Sequence, residues 1–327
     1  MSNKTSFKPV LMLFLATAGW GLSFPLTKAL MLIQQQLLPE ASEWFITAQG
    51  LSLRFGMAAV LLALGCRGRW RNLGWLEWKF GLGIGFFAGI GMLLQMVGLG
   101  HTLASTSAFL TQAYVLIIPV ALALWYRKLP SWLVAVSCLL VVAGMAVLCR
   151  VDWRDLRLGR GETLTVLCSA VFVGDILWLD RKEFARVDKL TGSVIMFAVI
   201  ALVGVPVAWW TQPAAGLTWA AYGSASVWII TVVLVLVPAL FSFTMMNLWQ
   251  PAISPTHASL IYCAEPVFAS LFALGLPALL ARLGGVTYAN ETLTANLWIG
   301  GGLITVANIL VQRDHSKESD IRERRDA

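Results

Sequence analysis

The sequence predicts an all-α polytopic membrane protein with ten transmembrane helices, arranged as two inverted five-helix repeats around a central cavity. Three observations predict this class: the composition, the recurrence of long apolar runs, and a weak similarity between the two halves. Hydrophobic residues make up 58% of the 327 residues and charged residues only 13%. Soluble domains carry about 25% charged residues, so the composition excludes an ordinary soluble fold.

Ten apolar runs are long enough to cross a bilayer, which takes about 20 residues per helix. The predicted spans lie at 9–31, 45–66, 78–100, 103–126, 130–150, 161–180, 189–211, 225–249, 256–280 and 293–312. The first run continues into further spans and lacks the short core and small-residue cleavage site of a signal peptide. We therefore expect it to be retained as the first helix.

The positions of the basic residues predict the orientation. Ten spans place both termini on one side, and most of the 24 Lys and Arg residues fall in the segments on that side. The positive-inside rule then puts both termini in the cytoplasm. One loop on the opposite side, "RVDWRDLRLGRGE", does not fit this pattern, because it is also rich in arginine, but it contains Asp152, Asp155 and Glu162 as well. We expect an integral protein of the bacterial cytoplasmic (inner) membrane with a polar cytoplasmic tail at 313–327.

The loop at 151–160 divides the spans into two sets, a first repeat at 1–150 and a second at 151–312. Because each set holds an odd number of spans, the second must be inverted relative to the first. Inverted repeats allow one half to rock against the other and to expose a midplane site alternately to each side. This is the architecture of a transporter.

Short segments of the two halves can be overlaid. "AGWGLSFPLTK", from Ala18, aligns with "AVFVGDILWLD", from Ala170. "ASTSAFLTQAY", from Ala104, aligns with "SPTHASLIYCA", from Ser254, at nearly the same offset. The first overlay pairs Trp20 with Phe172 and Ser23 with Asp175, and the second pairs Gln112 with Tyr262. Agreement between the two offsets favours a true internal repeat.

Four segments of the chain carry a family resemblance. They are "ATAGWGLSFPLTKAL", "LSLRFGMAAVLLAL", "RKLPSWLVAVSCLLVVAGMAVL" and "NETLTANLWIGGGLITVANIL", in this order along the chain. The first two are similar to the first two spans, and the last two to the segments that close the two repeats, of EamA-type members of the drug/metabolite transporter superfamily. The chain departs from the family pattern at Arg127-Lys128 and at Asn290, while Glu291 is kept. The resemblance implies ten helices around a central cavity, with small metabolites or drugs as substrates.

Ionisable groups inside a span are costly and are by default functional. Asp175 in span 6 and Glu265 in span 9 are the two acidic candidates for substrate binding. Each has a structural alternative, which for Glu265 is an ion pair with Arg54 of span 2. For Arg54 itself a structural role is favoured, because span 2 of the resembling family is peripheral to the pathway.

Uncharged polar and aromatic side chains complete the predicted site. Amides and hydroxyls at membrane depth can bind a solute or form hydrogen bonds between helices, and aromatic rings suit flat or cationic ligands. The predicted substrate-binding residues are Trp20, Ser23, Gln95, Gln112, Tyr114, Asp175, Trp178, Asn247, Tyr262 and Glu265.

Glycine and proline residues predict close helix packing and bends. Gly81, Gly85 and Gly89 lie on one helix face and should permit a close helix contact, which we expect within the monomer. Prolines inside spans 4, 8 and 9, which should kink their helices, are Pro119, Pro238 and Pro266.

The favoured function is a secondary transporter of small organic metabolites, such as amino acids or drugs, that works as an exporter by alternating access. The chain has no Walker A motif, so ATP is not its direct energy source. Protons as the coupling ion, or facilitated diffusion, are the remaining possibilities. We expect the small-molecule substrate and the lipid bilayer to be the partners of a functional monomer.

The alternatives are a membrane scaffold that transports nothing and, less favoured, an intramembrane enzyme. The chain has three histidines and no HExxH, HxxxH or GxSxG pattern, so we expect no catalytic residues, no metal site and no cofactor. The five cysteines are scattered and predict no disulfide. The net charge of +7 does not indicate nucleic-acid binding, because the basic residues lie between apolar runs and in the tail.

Overall fold

The computed structural model describes residues 7–114, 117, 132–148, 158–179, 181–213, 217–252, 261–307 and 309–310. Within these residues the regular structure is helical, without strands. The helices are α1 (Phe7–Leu37), α2 (Glu43–Gly65), α3 (Trp75–Gly100), α4 (Ala104–Thr111), α5 (Trp132–Leu148), α6 (Arg160–Leu179), α7 (Lys189–Thr211), α8 (Ala225–Trp249), α9 (Glu265–Ala273), α10 (Leu276–Gly284) and α11 (Ala295–Ala307). Residues 115–116 and 118–126 of predicted span 4, which include Pro119, lie outside the described residues, as do Arg127-Lys128 and the tail.

Six described helices are long and apolar enough to cross a membrane, namely α1, α2, α3, α6, α7 and α8. The pair α9 and α10 would make a seventh span, bent by 57°. Two further apolar helices, α5 and α11, are shorter than these six. The all-helical membrane class is therefore confirmed, while the described residues contain fewer full spans than the ten that hydropathy predicts.

Side-chain caps explain where several helices begin. The Ser42 hydroxyl accepts a hydrogen bond from the Phe45 amide at 3.1 Å and caps α2. The Asp188 carboxylate accepts one from the Leu190 amide at 3.2 Å and caps α7. Such caps satisfy amides that have no partner inside the helix, and each contributes about 1 kcal/mol.

The glycine motif of α3 makes a helix contact within the chain. A Cβ atom on Gly85 would lie 2.7 Å from the carbonyl oxygen of Met196 on α7, and one on Gly81 would lie 2.5 Å from Ile195 Cβ. Gly89 faces Val203 of the same helix. Only glycine allows the two backbones to approach so closely. The contact predicted within the monomer is therefore formed between α3 and α7.

A second glycine face of α3 contacts α6. Gly83 lies against the indole of Trp178, and a Cβ atom on Gly91 would lie 2.5 Å from the Phe172 ring. Glycines on both faces of α3 thus bring α6 and α7 close to one central helix. This packing positions the inner face of α6, which carries Asp175.

Two interruptions shape the second half. Helix α8 is π-helical over Val235–Ser242, the segment that contains Pro238. Proline removes a backbone donor, and the wider π turn accommodates that loss. Pro266 lies in the first turn of α9, directly after a turn at residues 263–264, so the chain breaks before Pro266. The 57° bend between α9 and α10 falls at Gly275, which the sequence analysis does not predict.

Contacts between helix termini define two ends of the bundle. We call one the Glu43 end, where His101 Nε2 lies 2.6 Å from Glu43 Oε2 and Arg160 Nη1 lies 3.6 Å from the same oxygen. We call the other the Lys189 end, after the first residue of α7. There the α2–α3 connection meets the α6–α7 connection through the ion pair of Arg69 with Asp188, 3.3 Å apart.

Candidate functional site

A cavity of about 380 Å³ lies among α1, α2, α3, α6, α8 and the first residue of α9. Its volume falls within the range of small-molecule sites, about 300–1,000 Å³. Its polar lining residues are Ser23, Thr27, Arg54, Gln95, Thr111, Tyr114, Asp175, Asn247, Gln250, Tyr262 and Glu265. Trp20, Phe24, Phe172 and Phe243 supply aromatic wall, and methionines on α3, α7 and α8 supply much of the remaining apolar surface.

The structure brings most of the predicted substrate-binding residues to this cavity. All of them except Gln112 and Trp178 line it. Gln112 is fully buried behind the wall and donates a hydrogen bond from Nε2 to Glu265 Oε2 at 3.2 Å. Trp178 points away: its indole N–H donates to the Lys79 carbonyl at 3.2 Å, and its ring lies 3.9 Å from the Arg181 guanidinium. The close contact of its indole with Gly83 of α3 holds it in that position.

Glu265 enters the cavity from the first turn of α9. Close packing of α1 against α9 brings it there, because a Cβ atom on Gly21 would lie 2.8 Å from the Ala269 amide nitrogen. Its one described hydrogen bond is the one from Gln112, and no described cation pairs with it. Nearby, the Tyr262 hydroxyl donates to Gln250 Oε1 at 2.9 Å. Among the described residues, Glu265 therefore presents a carboxyl group to the cavity without a counter-ion.

Asp175 faces the cavity from α6. Its Oδ1 atom is buried and has no hydrogen-bond partner among the described residues. The Trp20 indole N–H, on another residue of the cavity wall, is also buried and has no hydrogen-bond partner among the described residues. The Trp20 ring is held edge-on by Phe243 and Tyr262, with centroids 5.3 and 5.6 Å away. Unpartnered polar atoms are rare in protein interiors and often mark a functional site.

Gln95 and Asn247 have two kinds of contact. Gln95 Nε2 donates to Thr111 Oγ1 at 2.9 Å, and Asn247 Nδ2 donates to Ser193 Oγ at 2.6 Å. These bonds connect α3 with α4 and α8 with α7, as the helix-linking alternative expects. Both side chains nevertheless also line the cavity.

Arg54 is the lining residue that sequence reasoning assigned elsewhere. The ion pair with Glu265, the structural alternative for that residue, is not formed, and no described residue forms a hydrogen bond or ion pair with the Arg54 guanidinium. The signal that could have identified it is its position near the middle of an apolar run. An arginine at that depth requires either a protein partner or a cavity.

Next to Thr27 and Leu99 of the cavity lining, polar contacts cross the bundle towards the Glu43 end. The Lys28 ammonium donates to the Thr102 carbonyl oxygen. The Thr102 hydroxyl in turn donates to Glu162 Oε1 at 2.7 Å. These bonds connect α1, the α3–α4 turn and α6.

Glu291 adds a second closing contact at this end. It lies in the segment before α11 and accepts hydrogen bonds from the Ala104 amide at 2.7 Å and from the Ser105 hydroxyl. A carboxylate at the start of α4 also interacts favourably with the positive end of the helix dipole. The second half of the chain is thereby bound to the first at the Glu43 end.

At the Lys189 end the cavity adjoins a charged cleft. This cleft, of about 550 Å³, shares Leu179 and Asn247 with the cavity and is also lined by Arg69, Arg181 and Lys189. Beside it, the Lys79 ammonium lies 2.9 Å from Glu183 Oε1. The hydrogen bond from Lys79, together with the nearby Arg181, lowers the pKa of the Glu183 carboxyl. Over the described residues, polar contacts cross the Glu43 end of the bundle next to the cavity, and the cavity adjoins a cleft at the Lys189 end.

We expect Glu291→Ala to open the Glu43 end. A hydrogen bond to a charged group contributes about 1.5–3 kcal/mol, so its loss should raise access roughly tenfold or more. Thr27→Cys, in a cysteine-free background, should then react faster with an impermeant thiol reagent added from the Glu43 side. Glu40→Ala removes an exposed carboxylate at the same end and is the matched control. Equal labelling in the two variants would contradict a closing role for Glu291.

Among the described residues no group of three or more His, Cys, Asp or Glu side chains could hold a metal ion. The described cysteines, Cys66, Cys138, Cys168 and Cys263, form no disulfide with one another. The site therefore offers charge, amides, hydroxyls and aromatic surface for binding a solute.

Comparisons with known proteins fit this arrangement. An uncharacterized transporter of Archaeoglobus fulgidus is 25% identical over 239 residues, which cover 73% of this chain and 70% of the relative. A solved structure described as "Crystal structure of protein" is similar with a TM-score of 0.56 and 18% identity, over 93% of this chain and 96% of the other. No protein-family model matches the chain. The relative supports a general transporter role, and the solved structure shows the fold alone.

Proposed function

We propose that the chain is a secondary transporter that exports small organic solutes by alternating access. The observation that carries the proposal is the cavity itself. It lies among helices apolar enough to cross a membrane, and its two acidic residues have no counter-ion among the described residues. Polar contacts cross the bundle at its Glu43 end, and it adjoins a cleft at the Lys189 end. Access from one end at a time is what alternating access requires.

The proposal includes ten spans in two inverted repeats and EamA-type family membership. The repeat overlay supports it, because Trp20, Phe172, Ser23 and Asp175, which it pairs, all lie on the cavity wall. The positive-inside rule assigns the Lys189 end to the cytoplasm. The described conformation then corresponds to the state that receives solute from the cytoplasm.

Flux through purified protein in liposomes tests the proposal. A thermal-shift screen of amino acids, bases, sugars and cationic drugs first identifies a ligand. Saturable flux of that ligand, above the rate of protein-free liposomes, is the expected result. Flux that rises with an imposed pH gradient would identify protons as the coupling ion. A protein that neither binds nor moves any of these solutes would instead favour a membrane scaffold.

We expect cysteines placed on the cavity wall to be accessible from the Lys189 side. In a cysteine-free background, Ser23→Cys and Asp175→Cys should react with an impermeant thiol reagent, and bound solute should slow the reaction. Ser169→Cys is the control, because Ser169 lies on α6 but is fully buried and bonded to the Leu110 carbonyl at 2.8 Å. If Ser23→Cys and Asp175→Cys were labelled no faster than the control in every condition, these two helix faces would be packed against other helices and would not line an accessible cavity.

A further inference from the structure

We infer that Arg54 is the group in this cavity that binds a carboxylate of the solute. This inference deepens the proposed function and rests on it for the transport of that solute, though not for its binding. Arg54 lies near the middle of α2, lines the cavity and is only 7% exposed. Its Nε atom is buried without a hydrogen-bond partner.

No described residue pairs with this cation, although acidic residues share the cavity. Neither Asp175 nor Glu265 lies within ion-pair distance of the guanidinium, and Asp175 Oδ1 is itself unpartnered. A buried charge without a partner is strongly unfavourable. A cation and a carboxylate kept apart in one cavity are therefore suited to a ligand that satisfies them.

Packing holds Arg54 in position. Its guanidinium carbon lies 5.0 Å from the ring centroid of Phe55. Phe55 is fully buried, with Phe197 and Phe243 at 5.8 and 6.3 Å. The Ser52 hydroxyl, half a turn earlier, donates to the Ala201 carbonyl at 2.8 Å and fixes α2 against α7. A cation fixed in this way loses little freedom when it binds a ligand.

The chemistry of the site favours a carboxylate over a phosphate. The planar guanidinium can donate two parallel hydrogen bonds to a carboxylate. Among the described residues, Arg54 is the only basic residue on the cavity wall, which matches one negative charge better than two. Trp20, Phe243 and Tyr262 provide aromatic surface for the body of the ligand. An amine on the same ligand would be attracted to Asp175 or Glu265.

Binding to the purified full-length protein tests the inference with probes of matched shape. 3-Phenylpropanoate and phenylalanine carry the carboxylate; 3-phenylpropanamide, phenylalaninamide and phenethylamine lack it. The wild-type protein should bind each carboxylate at least about tenfold more tightly than its amide, since a charge-assisted bidentate pair is replaced by neutral hydrogen bonds. Arg54→Met should abolish this preference, and Arg54→Lys should keep part of it.

The control variant is Arg282→Met, which removes an exposed arginine in the last turn of α10 and should bind all probes as the wild type does. Equal carboxylate affinity in wild type and Arg54→Met overturns the inference. So does a wild-type protein that prefers the amides or binds no carboxylate at millimolar concentration. Because the last two outcomes concern the wild-type protein, they can overturn the inference even if Arg54→Met fails to fold.

Flux of the same probes separates this inference from the proposed function. If carboxylates bind in a manner that depends on Arg54 but no probe shows flux, the Arg54 site is supported and the transport proposal is overturned. Flux of the amides or the amine, with no carboxylate preference, would overturn the Arg54 site and leave transport standing.

Discussion

Glu265→Gln is expected to reduce solute flux at least about tenfold, because a carboxylate is replaced by a neutral group at membrane depth, where ionisable residues are functional. The glutamine keeps the shape of the side chain, and its amide oxygen can still accept the hydrogen bond from Gln112. No described cation loses a partner in the exchange. The fold should therefore tolerate it, with near-normal amounts of protein in the membrane.

Asp175→Asn is expected to act in the same direction. Asp175 lines the same cavity from α6, and its Oδ1 atom has no described partner that the substitution would leave unsatisfied. The measurement for both variants is flux of the identified ligand into liposomes across a pH series, normalised to the amount of reconstituted protein. Glu40→Gln, an exposed acid at the Glu43 end, is the matched control. Wild-type rates at every pH in both variants would refute an ionisable site.

Gly85→Leu is expected to prevent assembly of the bundle. Even a Cβ atom at this position would lie 2.7 Å from the Met196 backbone carbonyl, and a backbone atom cannot rotate out of the way. Overpacking a well-packed contact costs about 1–3 kcal/mol for added methylene groups. A whole isobutyl group should exceed that range, because α3 contacts both α6 and α7.

The measurement is the yield of monodisperse protein in size-exclusion chromatography, together with the Tm. Gly302→Leu is the control, since Gly302 also lies inside a helix but has open space around its Cβ position. Gly85→Ala should give an intermediate Tm. If Gly85→Leu and Gly302→Leu proved equally stable, the close contact between α3 and α7 would not be required.

The cavity wall was largely predictable from the sequence. Asp175, Glu265 and the amides Gln95 and Asn247 lie in apolar runs, and the bilayer offers such groups no water. They must therefore face one another or a cavity, whichever way the helices pack. The close contact made by the α3 glycines was also predictable from a local pattern, because residues four apart share a helix face.

The positions of Trp178 and Arg54 were not predictable in the same way. Trp178 is three residues from Asp175 on α6, but its indole packs against Gly83 of α3, where the absence of a side chain leaves room for it. Arg54 was expected to find a structural partner, and only the arrangement of α2 beside α3 and α8 shows it facing the cavity unpaired. Neither position follows from the spacing of residues along one helix.

The sequence by itself determined that the chain enters a membrane, where most of its spans lie and which polar residues need a cavity. Hydropathy and helical periodicity are properties of short segments, and the bilayer acts on each segment separately. Only the tertiary structure decided which charges remain unpaired, which end of the cavity is closed and where α9 and α10 bend. Those features depend on contacts between residues far apart in the chain, which no local pattern specifies.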